Sequence, residues 1–254
     1  MRKFLISLLF FALTFVEIYP ASSSPVVKII DIVGVSFGSN SSNSASIELV
    51  ASNLTEKNLP YWNSVLSKSK ESNELKLGIK DFSSLSLRPP SNCDGNTSIR
   101  YIETVKSLLR PRYPGIDFNN RYLVVLTPRM NCVWEAISSV NQNGKWSGGM
   151  ILNGTDKEFV ISHELGHALG LGHSNLLACN LGKIDGDWLN DCRGIEYGGA
   201  VDVMGNVEVR TSLSTYHLWR MGLLENQDVK EVWNSQEVLL SSVDENQGFR
   251  SIFL

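Results

Sequence analysis

Three of the four histidines in this 254-residue chain lie within eleven consecutive residues. His163 and His167 are four residues apart, so in a helix their side chains would lie on one face and could converge on one metal ion. His173 follows shortly after them, beyond Gly170. We predict that the three imidazoles of His163, His167 and His173 bind a single metal ion.

Gly170 suggests how the third histidine reaches the same ion. Glycine readily adopts the left-handed conformation that ends a helix, and the resulting turn would bring His173 back toward the other two rings. Three protein ligands leave the fourth position of a zinc ion open, which is typical of catalytic sites rather than structural ones. Glu164 is not needed as a ligand. We expect it to act as the general base that takes a proton from a metal-bound water and delivers it to the leaving amine.

Chance and structural histidines are the alternatives to a metal site. A bare His-Glu-x-x-His pattern occurs by accident in many proteins. The added glycine and third histidine reduce the chance of coincidence to about one in a hundred thousand for a chain with so few histidines. The spacing therefore favours a metal site.

The elements that must position these residues can be predicted from the pattern of apolar residues. Thr155, followed three residues later by Glu158, has the signature of a capping box, so the helix carrying the histidines should begin there. Further helices are expected at 60–69 and 98–109. Strands are expected at 26–37, at 75–79, at 122–126 in the centre of a sheet, and at 148–152 on its edge.

The segment from His163 to His173 resembles the metzincin pattern H-E-x-x-H-x-x-G-x-x-H. Metzincins also carry a methionine in a tight turn beneath the metal, and Met204 in Asp202–Gly205 is the candidate. The resemblance implies an α+β, zincin-like fold, with a twisted mixed β-sheet, an active-site helix and a small C-terminal subdomain containing the Met-turn. It also implies Zn²⁺ as the cofactor.

Within the metzincins, the stretches 196–205 and 213–223 resemble gametolysin-like peptidases. Two positions depart from expectation: Gly199 stands where those enzymes commonly have Asp, and Asn206 replaces the tyrosine that contacts the metal in some metzincins. Tyr197 and Tyr216 could stabilise an oxyanion or simply pack, and packing is the favoured role; His217 is expected to be structural.

The resemblance implies a zinc metalloendopeptidase that acts on a protein or peptide substrate, such as an extracellular matrix or cell-wall glycoprotein. Met150 to Leu152 would be the edge strand to which the substrate adds, although an ordinary hairpin strand is equally compatible with this segment. Two alternatives remain open. One is a catalytically silent zinc-binding or adhesion protein on the same scaffold, and the other is a hydrolase of a non-peptide cell-wall amide.

The N-terminus predicts secretion. Arg2 and Lys3 precede a largely apolar run from Phe4 to Val16, and small residues follow, which is the order of a signal peptide cleaved between Ala21 and Pro25. We therefore divide the chain into a signal peptide (1–23), a catalytic domain (24–225) and a short C-terminal extension (226–254). In that extension, 237–241 and 249–254 are expected to form a β-hairpin. After removal of the signal peptide no membrane span is expected.

Cysteine content and charge limit the remaining possibilities. The four cysteines allow three pairings, of which we favour Cys179–Cys192 because it closes a short loop, leaving Cys93–Cys132. The net charge of −3, without a concentrated basic run, argues against a nucleic-acid partner. We expect a secreted monomer.

Overall fold

The computed structural model describes residues 26–38, 45–69, 73–140, 146–179, 190–206, 208, 212–234, 236–242 and 248–253. The predicted signal peptide lies outside the described residues. Within them, no helix has both the length and the apolar content needed to cross a lipid bilayer.

A mixed β-sheet forms the centre of the described part of the chain. Its strands are β1 (Val26–Ser36), β2 (Asn73–Ser86), β3 (Arg121–Thr127), β4 (Ala136–Ser138) and β5 (Gly149–Asn153). The spatial order is β2-β1-β3-β5-β4, and only β4 is antiparallel to its neighbour. The predicted strands at 26–37, 75–79 and 122–126 are confirmed. Their runs of Val, Ile and Leu suit parallel strands that are covered on both faces.

The position of β5 corrects one prediction. We expected 148–152, and with it Met150 to Leu152, to form the edge of the sheet, but β5 pairs with β3 on one side and β4 on the other. All five of its residues are buried, because Met150 and Leu152 pack into the core on one face while Ile151 packs on the other. The edge on this side of the sheet is the three-residue strand β4, and β2 forms the other edge.

Helices cover both faces of the sheet. They are α1 (Ile47–Asn53), α2 (Leu59–Leu66), α3 (Gly95–Leu109), α4 (Glu158–Ala168) and α5 (Thr215–Arg220), with one π-helical turn (Leu54–Asn58) between α1 and α2. The helices predicted at 60–69 and 98–109 correspond to α2 and α3. Helices α1, α2 and α4 share one hydrophobic core with the sheet, whereas α3 packs against the opposite face. Helix α4 therefore lies on the same side of the sheet as α1 and α2.

Two disulfide bonds cross-link the described part of the chain. Cys93 bonds Cys132, and Cys179 bonds Cys192 across the antiparallel pair β6 (Leu176–Cys179) and β7 (Cys192–Ile195). This confirms the favoured pairing. Such bonds persist in oxidising compartments, so the pairing is consistent with an extracellular protein.

The C-terminal extension differs from the predicted hairpin. Strand β9 (Ser251–Phe253) pairs in parallel with β8 (Val229–Glu231), and 237–241 contributes only an isolated bridge between Leu240 and Phe249. Arg250 accounts for the difference, since it pairs with Asp228 through its guanidinium and its backbone N–H donates to the Asp228 carbonyl at 2.7 Å. These bonds hold β9 beside β8.

Candidate metal centre

Helix α4 begins differently from the sequence prediction. Its N-cap is Lys157, with no side-chain capping bond, so the capping box expected between Thr155 and Glu158 is wrong. Thr155 lies two residues before the N-cap. Its hydroxyl accepts from the Lys157 N–H at 3.4 Å and from no backbone N–H inside the helix. The carboxylate of Asp156 accepts instead from the Ser46 N–H at 3.3 Å, which links this turn to the start of α1.

Side chains from the preceding helical segment fix α4 in place. Asn58 Nδ2 donates to the Glu158 carbonyl at 2.9 Å and to Ser162 Oγ at 3.0 Å. Trp62, which is fully buried, donates from its indole N–H to the Ser162 carbonyl at 3.2 Å. Because these donors satisfy polar groups in the first two turns of α4, the helix is held in one position against α2.

Gly170 ends the histidine-bearing helix, as predicted. Its φ is +92°, and its N–H donates to the His167 carbonyl at 2.9 Å while the Leu171 N–H donates to the Gly166 carbonyl at 3.0 Å. These two bonds make a Schellman motif, in which a left-handed residue turns the chain out of the helix. The turn redirects the chain so that His173 returns toward α4.

The three predicted histidines come together. One ring nitrogen from each of His163, His167 and His173 can be chosen so that all three lie within 4.8 Å of one another, which is close enough to hold one metal ion. The ring centroids of His167 are 4.9 Å from those of both His163 and His173.

Hydrogen bonds orient all three rings in the same sense. His163 Nδ1 lies 3.0 Å from the Val203 carbonyl, and His167 Nδ1 lies 2.8 Å from the Leu171 carbonyl. His173 Nδ1 lies 2.7 Å from a carboxylate oxygen of Glu196. Oxygen acceptors at Nδ1 hold the proton on that nitrogen and leave the Nε2 lone pair free. Metal-binding histidines are commonly held in this tautomer.

Burial keeps two of these rings in the metal-binding protonation state. Desolvation lowers the pKa of His163 below its usual range and that of His167 to about 4. The nearby imidazoles lower both pKa values further, while the hydrogen bonds to backbone carbonyls act in the opposite direction. Both rings are therefore neutral near pH 7, and neutral imidazole is the ligand form.

Glu164 lies beside the histidines in an apolar setting. It is 7% exposed, and within the described part of the chain its Oε2 has no hydrogen-bond partner. Burial raises the pKa of Glu164 to about 7. A buried carboxyl that titrates near neutral pH can both accept and release a proton, as acid–base catalysis requires.

Met204 lies in a tight turn directly under α4. The Gly205 N–H donates to the Asp202 carbonyl at 2.8 Å, and the Met204 N–H donates to Asp202 Oδ1 at 2.8 Å. The Met204 side chain is fully buried, and its sulfur packs on Gly166, between the first two histidines. Because the neighbouring Val203 carbonyl accepts from His163, this turn both supports the helix and orients one ring.

A second buried pair holds that turn. Asp202 Oδ2 lies 2.7 Å from His217 Nδ1 and accepts from the Ser214 N–H at 2.8 Å. Burial opposes ionisation of Asp202, but the hydrogen bonds from His217, Ser214 and Met204 outweigh it and lower the pKa of this carboxyl. His217 thus connects α5 to the turn that supports the candidate metal centre.

Nothing in the sequence indicated the role of Glu196, whereas Tyr197 was expected to be a packing residue and does pack at the site. Glu196 orients His173, and the Tyr197 ring packs on His173 with centroids 3.8 Å apart. Among the described residues, Tyr197 is also the one non-glycine residue with positive φ, at 60°. Its N–H donates to Asn175 Oδ1, and its carbonyl accepts from the Asn206 N–H. Glu196 and Tyr197 reach His173 through a long-range contact across the β6–β7 loop. Local sequence patterns give no signal for such a contact.

A cavity of about 460 Å³ opens beside Glu164 and His163. Its walls come from the segment leading into β4, from the start of α4 and from the turn around Met204. The residues that line it include Val133, Trp134, Phe159, Val160, Val203 and Tyr197. The candidate catalytic groups are therefore accessible from a partly apolar cleft.

Comparisons with known proteins add little to this picture. No protein-family profile and no curated protein matches the chain. Among solved structures, one titled "Structure of a chaperone-substrate complex" is 16% identical and covers 76% of this chain, with a TM-score of 0.41. The chain spans only 30% of that protein's length. A likeness this weak supports no conclusion about fold or function.

Proposed function

We propose that this chain is a secreted zinc metalloendopeptidase of the metzincin type, similar to the gametolysin-like peptidases. One observation carries the proposal. Three imidazoles, all with Nδ1 held by oxygen acceptors, converge on one point beside a buried carboxyl with an unpartnered oxygen. The signal-like N-terminus and the two disulfides support secretion.

The residues present fit a zinc ion. Zinc is commonly bound by neutral imidazole nitrogens, and three of them leave room for a fourth ligand. His163, His167 and His173 would hold the ion through their Nε2 atoms. When bound, it would supply Lewis-acid polarisation and lower the pKa of a coordinated water. Glu164 Oε2, which has no hydrogen-bond partner among the described residues, fits a role in contacting that water.

Glu164 would move the proton during hydrolysis. Its pKa of about 7 lets it take a proton from the attacking water and give it to the amine that leaves. Its position in α4 next to His163 keeps the carboxyl at the centre of the site. Burial strengthens its electrostatic interactions there, because less water screens them.

Strand β4 is suited to bind an extended peptide. It forms one edge of the sheet and pairs only on its inner side, through Ala136–Leu152, Ile137–Ile151 and Ser138–Met150. A peptide that adds as the next strand would run along the cleft above α4. The backbone of β4 would then supply affinity that does not depend on the substrate sequence.

The cavity beside Glu164 would accept one substrate side chain. Its apolar walls come from Phe159, Val160 and Val203. Two carboxylates also line it, and both are already paired: Glu135 with Lys157 and Glu196 with His173. An apolar side chain would release water from these walls on binding. We therefore expect cleavage next to a medium-sized apolar residue.

A metal assay combined with cleavage of a peptide library tests the proposal. The purified mature chain should contain about one zinc per molecule, cleave peptides, lose cleavage in a chelator and regain it on addition of zinc. Stoichiometric zinc with no cleavage of any peptide would contradict the peptidase assignment. Cleavage of peptidoglycan fragments alone would identify a non-peptide amide as the substrate.

A further inference from the structure

A second cavity, of about 520 Å³, lies on the far side of the histidine cluster. The turn at 170–172 and the third histidine line one wall, and α5 lines another. The residues involved are Val140, Gly170, Leu171, Gly172, His173, Tyr216, His217 and Arg220. The two cavities thus share the histidine cluster, one through His163 and the other through His173.

The two cavities differ in the charged side chains that line them. Among the residues that the structure describes, three glutamates and no Lys or Arg line the first cavity, whereas Arg220 and no carboxylate line the second. Arg220 is exposed and forms no ion pair with any residue the structure describes. Its guanidinium is free to bind an anion.

A buried polar atom also lacks a partner at this cavity. His217 is 1% exposed, and while its Nδ1 contacts Asp202, its Nε2 has no hydrogen-bond partner in the described residues. A buried polar atom without a partner is costly, so such an atom beside a cavity commonly marks a binding position for a polar ligand or water. The second cavity is therefore lined by a buried imidazole, His217, and by an exposed cation, Arg220.

The order of the two cavities along β4 assigns them to opposite ends of a bound peptide. The first is lined by 133–136, at the start of β4, and the second by Val140, just beyond its end. A peptide running antiparallel to β4 would place its C-terminal residues at the first cavity. Its N-terminal residues would lie at the second.

We propose that the second cavity binds an acidic side chain on the N-terminal side of the scissile bond, with Arg220 as the specificity-determining residue. The proposal rests on the proposed peptidase function. A carboxylate there would pair with the Arg220 guanidinium and could accept a further hydrogen bond from the Tyr216 hydroxyl. The substrate class is therefore a peptide with an acidic residue before, and an apolar residue after, the bond that is cut.

Matched fluorogenic peptides test the assignment. A set of three peptides would differ only in carrying Glu, Gln or Lys at one position. One such set would be made for each of the three positions before the cleaved bond. At one of these positions kcat/KM should rank Glu above Gln above Lys, with about a tenfold span, as expected for a partly screened ion pair. Arg220→Glu should reverse the ranking and Arg220→Lys should keep it.

The control variant is Arg110→Glu, at an exposed arginine on the opposite side of the sheet, which should leave the ranking unchanged. Binding of the same peptides to Glu164→Gln protein, measured by fluorescence anisotropy, gives a readout independent of turnover and should show the same order. Cleavage without any charge preference, or a preference that Arg220→Glu does not change, would overturn the assignment of Arg220 while leaving the peptidase proposal intact. Absence of cleavage and of peptide binding would overturn both.

Discussion

The sulfur of Met204 packs so closely on Gly166 that a Cβ at that position would clash with it. Gly166 is in the last turn of α4, between His163 and His167, and Met204 is in the turn below it. The absence of a side chain at Gly166 therefore lets the turn approach the helix closely enough for the Val203 carbonyl to reach the His163 ring. One glycine and one methionine link the helix to the segment that orients the first histidine.

Replacing Gly166 by alanine should separate the helix from the turn. Because the added Cβ would clash with the Met204 sulfur and crowd Trp62, we expect a loss of about 1–3 kcal/mol in unfolding free energy, despite the higher helix propensity of alanine. Gly95→Ala is the control, since no atom lies within 4 Å of the Cβ position there. Equal stability of the two variants in chemical denaturation would refute the close packing.

The carboxylate of Glu196 should matter for metal affinity although it is not a ligand. It accepts from His173 Nδ1 and so fixes the ring with Nε2 toward the other histidines. Loss of such an orienting partner typically weakens metal binding by about 10- to 100-fold. We expect Glu196→Ala to show a weakening of this size in a competition assay with a zinc chelator. Glu225→Ala, at another exposed glutamate, should bind zinc like the wild type.

Asp202 should stabilise the fold in a pH-dependent way. The pKa of Asp202 is lower in the folded chain than in the unfolded chain, where it is about 4. Its contribution to the free energy of unfolding is therefore complete above about pH 4 and is lost as the pH falls through the folded pKa. Removing one partner of a buried pair costs about 3 kcal/mol. Asp202→Asn should therefore be less stable than the wild type at pH 7. The difference should shrink below about pH 4 in urea titrations with a chelator present. A constant difference from pH 7 to pH 3 would exclude ionised Asp202 as the stabilising form.

The disulfide Cys93–Cys132 should stabilise the fold by lowering the conformational entropy of the unfolded chain. It joins residues 39 apart and closes the segment that leads to β4. The loop-entropy relation gives a loss of about 4 kcal/mol when both cysteines are replaced by serine. The Cys179–Cys192 bond closes a loop of 13 residues, and its removal should cost about 3 kcal/mol. Thermal unfolding of both double variants tests the size and the order of the effects.

The sequence predicted the histidine cluster better than its surroundings. Spacing alone placed His163 and His167 on one helical face, and Gly170 signalled the turn that returns His173. Such features depend on local geometry, which is why they can be recognised without a fold. The long strands were predictable for the same reason, because buried parallel strands contain continuous apolar runs.

Features that depend on distant segments were missed. The start of α4 is set by Asn58 and Ser46, about a hundred residues earlier, and a plausible capping box beside it was misleading. The edge strand is β4 because a short, weakly apolar segment pairs with β5, and three residues give too little pattern to recognise. The orienting role of Glu196 is likewise visible only once the chain has folded.

The zinc content and peptidase activity of Glu164→Ala, measured beside those of the wild type, test the central claim most directly. The account predicts that the variant keeps about one zinc per chain, because the three imidazoles are intact. Its cleavage of a peptide substrate should fall by at least about 100-fold, because no group remains to move the proton. A variant that cleaves peptides at the wild-type rate with its zinc in place would contradict the assignment of Glu164 as the base.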